Sequence, residues 1–406
     1  MATASWKREA PQSETLEDSI DAEPSSRREN SILAIAVIAL ALYPFLDQAL
    51  GIKRVGSWES IFVYCILAMG LNIVVGYAGL LDLGYAAFFA IGAYTIGLLT
   101  SPSSYFVQQG WVPEWLQNFW PAMGVSWIAA AVFGVLLGMP TLRLRGDYLA
   151  IVTLGFGEIV PNVFRNAEGI TGGVKGLNPI GKPPGFHVLG HPFNFTATDQ
   201  RNWYWLMLLI GFFTLFIIRR LYNSRLGRTW QAIREDEIAA SSMGVNLVST
   251  KLWAFALGAS FSGFAGSVYS SAFQFVDPSQ FEFSVSVTVL SMVILGGLGN
   301  IYGVVIGALL IGGFDRILSE VLNTPLHWLG RTVGWDGLAG HDLKADRFMV
   351  FGLALVLMML LRPAGLIPNT RRRAELKPEN DDILRGETES LFDVRSPNAP
   401  GAGART

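Results

Sequence analysis

The sequence predicts an all-α, polytopic helical membrane protein of about ten spans, and three observations carry that reading. Of the 406 residues, 51% are hydrophobic and only 15% charged, where a soluble domain carries about 25% charge. Apolar runs recur at the length a helix needs to cross a bilayer, about 20 residues at about 1.5 Å rise each. Lys and Arg collect in some connecting segments and are missing from others.

In chain order, residues 1–30 are polar and mixed in charge, without the apolar stretch of a cleavable signal. Residues 369–406 are equally polar, and both ends are expected to be flexible tails. Residues 31–368 form the expected transmembrane domain. Its apolar segments begin near Ile32, Trp58, Leu83, Trp120, Tyr148, Trp203, Leu252, Phe283, Tyr302 and Phe348. The Trp58 segment holds Cys65, the sole cysteine, which excludes an internal disulfide and a cysteine-rich metal site and reads as core packing. Asp82 is placed to cap the Leu83 segment at its start. Gly, Pro or polar residues interrupt the Tyr148 and Phe283 segments. Either can be a broken or re-entrant helix, which lipid permits only where protein or water covers the open backbone.

Within the Tyr148 segment, Glu158 lies in GFGEIVPNVF, three residues before Pro161. An acid at the bilayer centre costs roughly 2.5–3.5 kcal/mol on insertion scales. Glu158 is therefore expected to face a cavity or a partner, to sit near the interface, or to pair with a cation such as Arg143 or Arg145. Asn72, Thr153, Ser286, Thr288 and Ser291 are polar residues inside spans, and each can satisfy itself on helix carbonyls. In the Leu252 segment, Gly258, Ser262 and Gly266 form one four-residue row and Ala259, Gly263 and Ser267 another. Such rows let backbones approach closely. Like Gly84, Gly92, Gly303 and Gly307, they are expected to pack spans within the chain, a subunit seam being the alternative.

Orientation follows the positive charges. Arg27, Arg28, Arg143, Arg145, the cluster from Arg219 to Lys251, Arg362 and Arg371 to Arg373 fall on one face if the spans alternate. Segments 101–120 and 277–282 hold no Lys or Arg and fall on the other. The rich face is expected to be cytoplasmic, with both termini on it, although Lys53, Arg54, Lys175, Lys182 and Arg201 depart from the pattern. Trp111, Trp115, Trp120, Trp203, Trp205, Trp328 and Trp335 lie in or beside outer loops and suit headgroup-depth anchoring.

Several functions are excluded by what is missing. A net charge of −2 gives no nucleic-acid footprint. His187, His191, His327 and His341 are scattered without metal-ligand spacing, and no nucleophile, base and oxyanion set appears. The run from Gly176 to Pro183 mimics a phosphate-binding loop, but Pro183 replaces the metal-binding hydroxyl and no strand precedes it. The chain is not expected to bind ATP, and no cofactor is expected.

The strongest functional signal is the charged stretch at residues 219–251, lodged between membrane-grade apolar blocks. Asp236 can cap a short helix beginning at Glu237, its acid suiting the positive end of the helix dipole. Gly244 can end that helix, since glycine readily takes a left-handed conformation. A helix of about two turns is unstable alone in water, so it needs a docking surface.

This loop resembles that of ATP-binding-cassette import permeases, which share the pattern E-A-A-x-x-x-G. Ala239, Ala240 and Gly244 match, while Ile238 stands where the acid belongs and Glu237 precedes it. The resemblance is closer to the branched-chain amino acid subfamily. It is carried by GYAGLLDLGYAAFFAIGAY, LRLRGDYLAIVTLGFGEI, GRTWQAIREDEIAASSMG and FGLALVLMMLLRPAGLIP, from about Gly76 to Pro368. The resemblance implies an importer permease fold in a bacterial-type cytoplasmic membrane. It further implies a second, different permease subunit, two ATP-binding subunits and an extracytoplasmic substrate-binding protein as partners, besides membrane lipid. Arg234, Glu235, Asp236, Glu237, Ala239, Ala240 and Gly244 would then form the element that couples to the ATPase.

Candidate path residues for a branched-chain or other small neutral amino acid are Glu158 and Thr153, together with Thr171, Gly172 and Gly173. A helix broken near Pro161 would expose polar backbone to a zwitterion, and the free amides of the run from Gly169 to Gly176 would cradle a carboxylate. That run can equally be a plain outer turn. Close relatives of this subfamily carry urea or short amides, so such a substrate is the alternative. An autonomous secondary transporter, which needs no ATPase-docking helix, and a membrane enzyme are the more distant rivals.

Overall fold

The computed structural model describes residues 40–49, 51, 54–141, 147–188, 191–196, 200–318, 321, 323, 325, 332, 346–362 and 365–367. The expected tails, Arg143, Arg145, Trp328, Trp335, His327 and His341 lie outside the described residues. Contacts divide the chain into Met1–Lys53 and Arg54–Thr406, a boundary inside the expected 31–368 domain. In the first unit, residues 40–49 are helical.

The described residues of the second unit are mainly helical, with a small antiparallel hairpin of Phe186–Val188 and His191–Phe193. Its main helices are α1 (Ser57–Leu71, running on as a π-turn through Asn72–Tyr77), α2 (Tyr85–Thr100), α3 (Phe119–Thr141) and α4 (Asp147–Asn166). They continue as α5 (Gln200–Tyr222), α6 (Arg225–Glu235), α7 (Glu237–Ser242) and α8 (Leu247–Phe273). The last are α9 (Phe283–Gly296), α10 (Ile301–Gly313) and α11 (Arg347–Leu361).

Among the described residues, six stretches are long and apolar enough to cross a membrane: Ser57–Tyr77, Tyr85–Gln108, Phe119–Thr141, Gln200–Tyr222, Leu247–Phe273 and Pro278–Gly296. The expectation of about ten spans is not established by these. The Ile32 segment is described only from residue 40, α10 and α11 are short, and α4 is long but too polar on one side. Nor is α4 broken. It runs 20 residues with Pro161 inside it, so the lost amide interrupts the ladder without ending the helix.

At the centre, α8 packs along α3, α2 and α1. Its small residues set that packing. A Cβ on Gly92 would fall 2.2 Å from the Gly263 Cα, and one on Gly263 would fall 2.3 Å from the Ala130 Cβ. One on Gly266 would lie 2.3 Å from the Phe89 carbonyl oxygen. Both small-residue rows are thus spent inside the chain. The same logic joins α9 to α10, where a Cβ on Gly303 would sit 2.3 Å from the Gly296 oxygen.

Polar residues in the spans divide into two kinds. Thr288 and Ser291 bond their own helix carbonyls, as expected, at 2.8 and 2.7 Å. Asn72 and Ser286 do not. Asn72 Oδ1 accepts from the Gly299 amide at 3.0 Å, and Ser286 Oγ accepts from the Ala86 amide at 2.9 Å, capping α2 from α9. Trp111 and Trp115 are exposed, in keeping with anchoring, whereas Trp203 is buried against Phe195. Its anchoring role is corrected accordingly: the ring fills the core.

Candidate functional site

The polar connector between α5 and α8 builds itself from local chemistry. Ser224 Oγ accepts from the Gly227 amide at 3.3 Å and starts α6. Gly227, Trp230 and Ile233 form the buried side of α6, and the Trp230 indole donates to the Thr250 carbonyl at 2.8 Å. Asp236 then caps α7, its Oδ1 accepting from the amides of Ile238 and Ala239 at 2.8 and 3.0 Å. At the far end Gly244 has φ +85°. Its amide donates to Ser241, and that of Val245 to Ala240, so the two bonds close the helix as a Schellman motif. Asn246 Oδ1 accepts from Ser249 at 3.1 Å and opens α8.

Two ties fix this connector to the rest of the unit. Lys251 Nζ donates to Glu237 Oε1 at 2.7 Å. Arg234 Nη1 donates to the Gly76 carbonyl, at the end of the π-turn. There Gly79, at φ +70°, lies so close that a Cβ would stand 3.0 Å from the Arg234 Cγ.

The named residues therefore do different jobs. Asp236 and Gly244 cap α7, while Arg234 and Glu237 tie it inward. Ala240 is only 6% exposed, so of the two alanines only Ala239 lies on the outer side. α7 turns Ala240 toward the protein and leaves Glu235, Ile238, Ala239 and Met243 outside. Ile238 and Met243 are 74% and 86% exposed. Their signal in the sequence is two apolar side chains in a charged loop.

The candidate path residues do not converge on one site. Thr153 Oγ1 accepts from the Leu83 amide at 3.1 Å and donates to the Ala150 carbonyl at 3.0 Å. It is a buried seat for the start of α2, where a Cβ on Gly84 would collide with the Thr153 oxygen. Thr171 is buried, its hydroxyl donating to the carbonyls of Phe164 and Ala167. The expected carboxylate cradle is not formed. The Gly172 amide donates to the Glu168 carbonyl, that of Gly173 to the Thr171 hydroxyl oxygen, and that of Gly176 to the Gly173 carbonyl. These glycines serve a tight turn, with φ of +74°, +57° and +66° at Gly172, Gly173 and Gly176.

Glu158 is different. It is exposed on α4 together with Asn162 and Asn166, beside a hollow of about 490 Å³. Arg165 stands next to them, its Nη1 donating to Asn162 Oδ1 at 3.5 Å.

Asp82 sits in the connector before α2, outside the flanking spans, and is 1% exposed. The N-cap position is Gly84, one residue before the helix, so Asp82 is not the cap that was expected. Its Oδ1 instead accepts from the Gly84 amide at 2.9 Å. Burial pushes its carboxyl up to about 7, and the Gly84 bond pulls it back in part. Among the described residues, no group of three His, Cys, Asp or Glu is placed to hold a metal ion.

Residues 57–334 match the model of a family described as the permease component of the branched-chain amino acid transport system. The chain is 38% identical over 366 residues to the high-affinity branched-chain amino acid transport system permease protein LivM of Escherichia coli (strain K12), covering 85% of this chain and 76% of the relative. It is 25% identical over 346 residues to a probable branched-chain amino acid transport permease protein LivM of Methanocaldococcus jannaschii, covering 75% and 90%. It is 24% identical over 288 residues to the high-affinity branched-chain amino acid transport system permease protein LivH of Escherichia coli (strain K12), covering 69% and 88%. No solved structure matches.

Proposed function

Because the chain belongs to the branched-chain amino acid transport permease family, we propose that it imports branched-chain or similar small neutral amino acids across the cytoplasmic membrane as one of two permease subunits. ATP hydrolysis takes place on companion subunits that dock on α7, and a separate binding protein delivers substrate to the opposite face. Alternating access, rather than any bond-making chemistry, is its work.

The observation that carries this reading is the construction of α7. A six-residue helix is too short to persist alone, yet this one is capped at both ends and tied to α8. It still leaves Ile238, Ala239 and Met243 exposed. Exposed apolar side chains rimmed by charge mark a protein-interaction face. Motion imposed there reaches the spans by two routes: through Lys251 into α8, and through Arg234 into the end of the π-turn of α1.

The test is co-expression with the companion ATPase and second permease, followed by reconstitution with the binding protein. ATP-dependent leucine uptake is expected only from the complete set. Ile238→Asp with Met243→Asp is expected to lower that uptake by roughly tenfold or more, an interface loss of at least about 1.4 kcal/mol, and to abolish ATPase co-purification while the variant still enters the membrane. Gradient-driven leucine flux through the isolated chain, or full uptake by the double variant, would overturn the reading.

A further inference from the structure

On its exposed side α4 carries two parallel rows at four-residue spacing. One row is Glu158, Asn162 and Asn166, and the other is Ile159 and Val163, followed by Ala167 just past the end of the helix. These six residues line the hollow of about 490 Å³. Side chains four apart stack along one helix face, so a polar strip and an apolar strip run side by side for about 12 Å. The opposite side of the helix packs inward, while Tyr148, Ile151 and Val152 continue the exposed side toward its start. Thr153 bonds the Leu83 amide, and a Cβ on Gly157 would stand 2.9 Å from the Gly84 Cα.

The polar strip is made of acceptors. Asn162 Nδ2 donates to the Glu158 carbonyl at 2.9 Å and Asn166 Nδ2 to the Asn162 carbonyl at 2.8 Å. The Asn166 amide oxygen and the Glu158 carboxylate are thus left to meet a ligand, with Asn162 Oδ1 between them shared with Arg165. One cation closes the strip. Arg165 reaches Asn162 Oδ1 at 3.5 Å and lies 4.0 Å from Glu282 Oε1, both long contacts that a better partner can displace.

We propose that this face of α4 is one wall of a binding site for a zwitterionic amino acid with a branched aliphatic side chain. The proposal rests on the transport function above and names where its substrate is held. Glu158 and Asn162 Oδ1 accept from the ammonium group, which has three donors and no acceptor. Arg165 takes the carboxylate as a charge-assisted pair. Ile159 and Val163, 58% and 55% exposed, receive the aliphatic side chain. Urea has neither the cation nor the hydrocarbon and gains little here. The hollow is wide open on the side away from this chain, and we assign its second wall to the companion permease.

The experiment uses the assembled transporter in proteoliposomes, with binding protein and ATP. Cys65 is the only cysteine of this chain and is buried, so Asn162→Cys supplies the one accessible thiol of this subunit, whose labelling is read on its own band. A charged thiol reagent is expected to modify it, and leucine is expected to slow modification by roughly tenfold, whereas urea leaves the rate unchanged. Val163→Phe is expected to shift uptake from leucine toward alanine by a similar factor, and Glu158→Gln to raise the half-saturating leucine concentration by roughly tenfold or more. If the thiol reacts equally with and without leucine, or is shielded in the assembly irrespective of leucine because the face is a closed subunit seam, the site is wrong. If the unmodified assembly imports no leucine at all, the transport reading itself fails, and the two failures are told apart by that control.

Discussion

Asp82 shows how one side chain can make stability depend on pH. It is buried in the connector between α1 and α2, with Oδ1 held by the Gly84 amide and no hydrogen bond to Oδ2 among the described residues. Burial raises its pKa from 3.8 to about 7, so the folded chain holds the proton more tightly than the unfolded one. The charged form then carries a penalty. That penalty is absent below the ordinary carboxylate range, grows as the pH climbs through about 4 to about 7, and is complete above. Asp82→Asn keeps the acceptor for Gly84 and carries no charge. Its thermal midpoint is expected to match that of the natural chain near the acid end and to exceed it by several degrees in mildly alkaline buffer. A difference that did not change with pH would show that charge burial is not its cause.

At the scale of elements, the seam between α2 and α8 depends on glycine for contact rather than for flexibility. Gly92 and Gly263 meet backbone to backbone, whereas a Cβ on Gly211 of α5 would have nothing within 4 Å. Gly92→Ala is therefore expected to destabilise by about 1–3 kcal/mol through overpacking. Gly211→Ala is expected to be neutral or to gain up to about 1 kcal/mol from helix propensity. Thermal unfolding of the two variants in detergent separates these outcomes, and equal midpoints would mean that the seam relaxes freely. The same scale explains α7. Its caps fix which side turns inward, and Ala240, not Ala239, follows that side.

At the scale of the whole molecule, the membrane imposes an orientation that residue contacts do not. The connector holding α6 and α7 is rich in Arg and is proposed to be cytoplasmic, while the segment from Ser101 to Asn118 has no Lys or Arg and is proposed to lie outside. A reporter active only outside the cytoplasm is expected to work when inserted after Gly110 and to be silent after Gly244 or fused after Thr406. Activity at Gly244 would invert the topology and remove α7 from any cytoplasmic motor. The polar strip of α4 would then also open toward the wrong side for a delivered substrate.

The sequence by itself determined the helical membrane class, the approximate starts of most long apolar helices and the short capped helix at Glu237, although α8 begins at Leu247, five residues before its expected start. These follow from quantities read along the chain: run length, charge distribution, an Asp before a helical turn and a Gly after it. The family likeness was legible for the same reason, since its motifs are contiguous. Only the tertiary structure decided which sides of those helices meet. It turned Ala240 inward and Ile238 outward, and used up the amides of Gly172 and Gly173 in a turn. It also set Ser286 on the start of α2 and left Glu158, Asn162 and Asn166 in one exposed line. Burial and hydrogen-bond satisfaction are properties of neighbours distant in sequence, so a local pattern could name these residues without saying which of them were already occupied.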